Sequence, residues 1–196
     1  CAGGSSGGSG AAVAARLVAG AVGTDGGGSI RIPCSFTGLF GIKPSFGRVP
    51  AWPLSPFGTV AHVGPMTRTV EDSALMMNEI SKPDARDWTS LPYDDRDHLK
   101  KLGKGVKGLK IAFSPTLGYA EVDPEIAKAV KAAVKVLADL GAVIKQVDPG
   151  FADPASCFRT LWWSGARALL VDGPPPPADQ AAIVAANRAG RVAVGA

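Results

Sequence analysis

The sequence predicts an α/β protein, with a mostly parallel mixed sheet covered by helices. Three observations predict it. Residues 109–147 read as strand, helix and strand, residues 11–22 as a helix followed by a strand, and residues 69–80 as an amphipathic helix behind a capping threonine. A β-α-β crossover implies parallel pairing and a right-handed connection. At 196 residues, 46% hydrophobic and 19% charged, the chain can bury a sizeable core and is too apolar for wholesale disorder. Its 25 glycines and 16 prolines carry no collagen-like period and demand many turns.

The elements follow in order. Residues 3–10 (Gly-Gly-Ser-Ser-Gly-Gly-Ser-Gly) and 23–29 (Gly-Thr-Asp-Gly-Gly-Gly-Ser) read as two loops. Between them, Ala-Ala-Val-Ala-Ala-Arg at 11–16 favours a helix with Ser9 as N-cap. The apolar run 17–22, ended by Gly23, reads as a buried strand. Residues 29–33 restart the chain as a short helix, 38–44 form a strand stopped by Pro44, and 49–58 are rich in turns. In the helix at 69–80, Thr69 is the N-cap, Asp72 stands three residues on, and Val70, Leu75, Met76 and Ile80 share an apolar face. Residues 83–108 are polar and irregular.

The clearest unit comes next. Residues 109–113 are a strand, and Asp123-Pro124-Glu125 opens a helix with a cap, an N1 proline and an acidic first turn. Ile126, Val130, Ala133, Leu137 and Leu140 line one face of that helix, Gly141 closes it, and 142–147 form the next strand. Residues 154–170 are helical, the prolines at 174–177 break the chain, and 179–188 form a further helix. The expected organisation is a core with the glycine-rich loops over 1–80, an irregular connector over 81–107, and a continuation of the same domain over 108–196.

Composition excludes several classes. The net charge is +4, and the one dense basic stretch, residues 98–107, lacks interleaved aromatics, so it reads as a solvated loop and no nucleic-acid partner is expected. Cys1, Cys34 and Cys157 are odd in number and show no CxxC spacing, which disfavours a disulfide framework and a zinc site and makes a cytoplasmic setting the default. No run of 18 apolar residues exists, so no membrane span is expected. Trp52, Trp88, Trp162 and Trp163 read as core or interface residues.

The two Gly/Ser tracts are the concentrated chemical signal. A flexible linker has no need of the patterned helix and strand they flank, nor of Thr24-Asp25 before the second run of glycines and Ile30-Arg31-Ile32-Pro33 after it. GxxxxGK[ST] is absent, and no GxGxxG follows a strand with an acidic residue placed for a ribose. Gly3-Gly4-Ser5-Ser6-Gly7 matches the GxSxG elbow, which would make Ser5 a nucleophile served by His62 or His98. The remaining reading uses both tracts. Gly26, Gly27 and Gly28 before Ser29 can turn several N–H groups toward one point, as an oxyanion requires when a serine attacks an acyl carbon. The other tract offers Ser5 and Ser6, and a hydroxyl relays a proton only if something more basic stands behind it.

Residues 3–9 and 23–33, with Gly41-Ile42-Lys43-Pro44-Ser45-Phe46-Gly47-Arg48-Val49 and Gly64-Pro65-Met66-Thr67-Arg68-Thr69-Val70-Glu71-Asp72, resemble the amidase signature family. The resemblance is strong over 3–80 and weaker near 108–148. It implies the amidase signature fold, here incomplete, and amide hydrolysis by a Ser–cis-Ser–Lys triad through an acyl-enzyme. Ser29 would be the nucleophile and Ser5, on a cis peptide to Gly4, the bridging serine. The N–H groups of Gly26, Gly27, Gly28 and Ser29 would form the oxyanion hole, and Ser6, Asp25 and Arg31 would hold the loops together. No metal or organic cofactor is implied, the substrate is a small-molecule amide, and a homodimer is the candidate assembly. The family's lysine lies several tens of residues before the bridging serine, so the general base is expected outside these residues, and Lys43 falls in a segment whose lysine is not the catalytic one. The chain is therefore expected to be a fragment without amidase activity alone. Within the family, the glutamine-hydrolysing component of tRNA-dependent amidotransferases usually carries Gln where Ile32 stands, and residues 51–62 look more like stand-alone amidases, which favours a general amidase. A non-catalytic binding protein of the same fold is the remaining alternative.

Overall fold

The structure is a computed structural model and describes residues 1–172. The expected proline break at 174–177 and helix at 179–188 lie outside the described residues. The protein is α/β, and the chain divides into two compact units. One holds Cys1–Lys100 and the described residues from Arg159, the other Lys101–Phe158.

In the first unit, helix α1 (Gly7–Ala14) leads to strand β1 (Gly20–Asp25), helix α2 (Arg31–Thr37), the short strand β2 (Phe40–Gly41), strand β3 (His62–Thr67) and helix α3 (Val70–Ile80). The sheet order is β1-β3-β2, and both pairings are antiparallel. This sheet is antiparallel because β1 and β2 both run opposite to β3, and the parallel pairing expected of residues 109–147 lies in the second unit. Residues Ile30, Cys34 and Met66 form the buried cluster of this unit, with Leu39 packed against it.

The first helix starts earlier than expected. Its first residues come from the Gly/Ser tract itself, and its buried residues are Gly7, Gly10 and Val13. A Cβ at Gly10 would stand 3.2 Å from Pro33 Cβ and 3.3 Å from Met66 Cε, so the glycine lets α1 lie close on α2 and β3. Ser6, not Ser9, occupies the N-cap position, and its side chain makes no capping bond. The helix ends in a Schellman arrangement: Arg16 adopts φ 62°, its N–H donates to Val13 O at 3.0 Å, and Leu17 N–H donates to Ala12 O at 2.9 Å. Arg68 Nη1 donates to the carbonyls of Val13 and Val18. This closure takes up residues 15–19, so the strand starts at Gly20 rather than at Leu17. Leu17, Val18 and Val22 are exposed, where a buried strand was expected.

Helix α3 has the expected cap, with Thr69 Oγ1 accepting from Asp72 N at 3.1 Å. It buries a different face, Ser73, Ala74 and Met77, while Val70 and Leu75 are exposed. The reason is a polar pair: the hydroxyls of Ser73 and Thr67, both fully buried, lie 2.6 Å apart, and Thr67 Oγ1 donates to Thr69 O. The irregular chain after α3 is strapped to residues 47–51. Buried Asp87 accepts from Ala51 N, Thr89 N and Thr89 Oγ1, and Leu91 N–H donates to Gly47 O.

The second unit carries the β-α-β pattern. Strands β4 (Lys110–Phe113) and β5 (Val143–Gln146) pair in parallel, Lys110 opposite Val143 through Phe113 opposite Gln146. Between them runs α4 (Pro124–Asp139), capped by Asp123 Oδ1, which accepts from Glu125 N and Ile126 N. Gly141 follows at φ 93°. Helix α5 (Ala155–Asp172) completes the described chain.

Candidate active site

Two backbone segments meet here, and glycines permit the meeting. A Cβ at Gly3 would come within 3.0 Å of Ile32 Cγ2 and 3.2 Å of Pro33 Cα, so the first Gly/Ser tract lies on the start of α2. A Cβ at Gly23 would meet Met66 Sδ at 2.7 Å, Ile30 Cγ1 at 3.0 Å and Ser6 Oγ at 3.3 Å. The peptide bond between Gly4 and Ser5 is cis. The adjoining Ser6 hydroxyl donates to Thr24 O at 3.3 Å and accepts from Thr24 N at 3.2 Å, which joins the tract to β1 across eighteen positions.

Asp25, the last residue of β1, is wholly buried. Its Oδ1 accepts from Gly28 N at 2.8 Å and Arg31 Nη2 at 2.9 Å, and its Oδ2 from Arg31 Nε at 2.9 Å, Ile30 N at 3.2 Å and Arg31 N at 3.3 Å. Burial alone would raise its pKa, but the Arg31 side chain, the Gly28 and Arg31 amides and the Arg31 charge outweigh it and hold the carboxyl at about 2. Arg31 is pushed upward by the same bond, against its own burial. The loop from Gly26 to Ile30 is thus folded around one carboxylate.

That hub has a cost for the oxyanion reading. The Gly28 N–H points inward to Asp25 and is not free for a ligand, so Gly28 does not serve as expected. The residue stays indispensable for another reason: its φ is 117°, and a Cβ there would meet Ile32 Cδ1 at 2.7 Å. Among the described residues, the N–H groups of Gly26, Gly27 and Ser29 have no acceptor, and the hydroxyls of Ser5 and Ser29 have no hydrogen-bond partner. Ser29 is half-buried and Ser5 exposed.

Three further residues frame the loops. Trp162 of α5 stacks on Phe57 with ring centroids 4.6 Å apart, and its Cζ3 would stand 3.1 Å from a Cβ at Gly26. His62 lies opposite Asp25 in the β1–β3 register, with Nδ1 3.1 Å from Asp25 O and 2.8 Å from Val60 O. Nδ1 is therefore tied to backbone, not offered to Ser5 as the elbow reading required. Lys43 Nζ donates to Pro44 O, and burial and the Arg31 charge push its pKa down against the pull of Asp25. Among the described residues no group of three His, Cys, Asp or Glu side chains could hold a metal ion.

A family model described as Amidase matches residues 1–173. A glutamyl-tRNA(Gln) amidotransferase subunit from Ligilactobacillus salivarius (strain UCC118) is 47% identical over 146 residues, 74% of this chain and 30% of its own. A bacterial aryl acylamidase of the amidase signature family superposes with a TM-score of 0.75 at 39% identity, covering 88% of this chain and 37% of that one. The corresponding subunit of the Thermotoga maritima glutamyl-tRNA(Gln) amidotransferase gives 0.71 at 29% identity, covering 99% and 41%. The chain spans about three tenths of the length of the curated relatives it matches.

Proposed function

Because this chain belongs to the amidase family, we propose that the whole protein hydrolyses amides through an acyl-enzyme on Ser29, with Ser5 relaying the proton. Ser29 Oγ attacks the carbonyl carbon, its proton passes to Ser5 Oγ, and Ser5 hands its own proton to a lysine supplied from outside these residues. The carbonyl oxygen becomes an oxyanion held by the N–H groups of Gly26, Gly27 and Ser29. The C–N bond then breaks, the nitrogen leaves with the relayed proton, and water releases the acid from Ser29 by the same route in reverse.

The observation that carries this reading is the Asp25 hub. It turns Gly28 N–H inward, and among the described residues the neighbouring amides and the Ser29 hydroxyl have no hydrogen-bond partner. An alternation of spent and unspent donors is what a preorganised oxyanion site needs, because donors aimed before the reaction cost no reorganisation during it. The aryl acylamidase neighbour supports a general amide as substrate. The curated amidotransferase relatives support a second reading, in which glutamine is the amide and the protein works beside partner chains.

A fluorophosphonate probe tests the nucleophile. One adduct on Ser29 in the whole protein, lost in Ser29→Ala, is the expected result; an adduct on Ser5 instead overturns it. Comparing ammonia release from glutamine with amine release from an anilide separates the two substrate readings.

A further inference from the structure

A concavity lies beside the serine loops, and none of Ser5, Ser6 or Ser29 lines it. Its volume is about 320 Å³. That is the low end of the range for small-molecule sites, room for a single substituted ring. Its walls are apolar where Phe46, Val49, Pro53, Leu54 and Val63 meet. A charged ligand finds no anchor there. Asp87 also lines it, but its carboxylate already accepts from Ala51 N, Thr89 N and Thr89 Oγ1.

Ser45, Ser55 and Thr59 add hydroxyls to the wall, and His62 adds its one ring nitrogen acceptor. Its Nδ1 faces two carbonyl oxygens, Asp25 O and Val60 O, and two acceptors can be satisfied only if Nδ1 carries the hydrogen. In the neutral ring Nε2 is then a bare acceptor. It has no partner among the described residues, and because no unpartnered side-chain nitrogen or oxygen is sealed off, Nε2 keeps some exposure. Phe46 meets the His62 ring edge-on, with centroids 6.2 Å apart and planes at 88°, which fixes the imidazole's plane.

We propose that this cavity binds a neutral aromatic molecule carrying one hydrogen-bond donor, an aryl amine or a phenol, with its ring among the apolar walls and its donor on His62 Nε2. The occupant also lies against the support of the serine loops, since Thr24, whose backbone holds Ser6, is in the same wall. The site is argued from the cavity alone and stands whether or not Ser29 is the nucleophile.

The test is fluorine NMR of three ligands, 4-fluoroaniline, 4-fluorophenol and 4-fluorotoluene, titrated against the whole protein. The amine and the phenol are expected to bind about fivefold more tightly than the toluene, the effect of one net hydrogen bond. His62→Phe should erase that preference while the ring still binds. Ala51→Phe, which fills the cavity and leaves the backbone bond to Asp87 intact, should remove binding of all three. Ser29→Ala should change none of it, which separates this site from the hydrolytic reading. Equal affinity for the three ligands, or unchanged binding in Ala51→Phe, overturns the proposal.

Discussion

Asp25 concentrates more of this fold's logic than any other side chain described. Two oxygens take five donors from three residues, so the loop geometry is written in one carboxylate. Because its pKa is held at about 2 against an ordinary 3.8, its contribution to stability is complete above that ordinary value and is lost as pH falls toward 2. Screening at the half-exposed Arg31 end brings the contribution to roughly 2 kcal/mol. Thermal melts should therefore lose ground between about pH 4 and pH 2, and Asp25→Asn should flatten that acid limb while lowering stability by about 3 kcal/mol at neutral pH. A variant whose acid limb matches the parent would remove Asp25 from this role. His62 shows the opposite side of the residue scale. As one of two histidines it carried no pattern, and its bond to Asp25 O joins positions 37 apart, which no local signal encodes.

Helix ends were the most legible elements, because a cap is a local bargain among a few consecutive residues. Thr69 and Asp123 each satisfy first-turn amides as the sequence implies. Thr69→Ala and Asp123→Ala should each lower stability by about 1 kcal/mol, read as a shift in urea midpoint without change in slope. A variant within about 0.2 kcal/mol of the parent would show the bond idle in solution. The start of α1 was illegible for a physical reason. Gly7 and Gly10 weaken a helix in isolation, and their value is the close approach to Pro33 and Met66, which exists only after folding. The buried face of α3 was hidden likewise, since Ser73 is tolerable in a core only beside Thr67. The pairing of Asp25 with Arg31 was readable through resemblance, whereas the inward turn of Gly28 N–H needed three dimensions.

At the scale of the whole molecule, apolar surface is unusually open. Helix α4 has no buried residue, and Ile126, Val130, Val136 and Leu140 are all exposed, as are Leu17, Phe36 and Trp88. Such surface needs a cover of some kind, and the chain spans about three tenths of its curated relatives. The 196 residues expressed alone should bind the dye ANS strongly and self-associate with rising concentration, by light scattering. A monomeric, ANS-silent sample would mean that this surface closes on itself in solution. Among the described residues no helix is long and apolar enough to cross a membrane.

The Ser6–Thr24 clamp has a consequence for the order of folding. It closes a span of eighteen residues, and the Asp25 carboxylate reaches no farther than Arg31, six positions on. Loops this short lose little chain entropy on closing, and contacts near in sequence form fast. The strand that completes their sheet, β3, ends at Thr67. The serine-bearing frame can therefore set while the ribosome is still delivering the rest of the polypeptide, and later segments dock onto a finished surface.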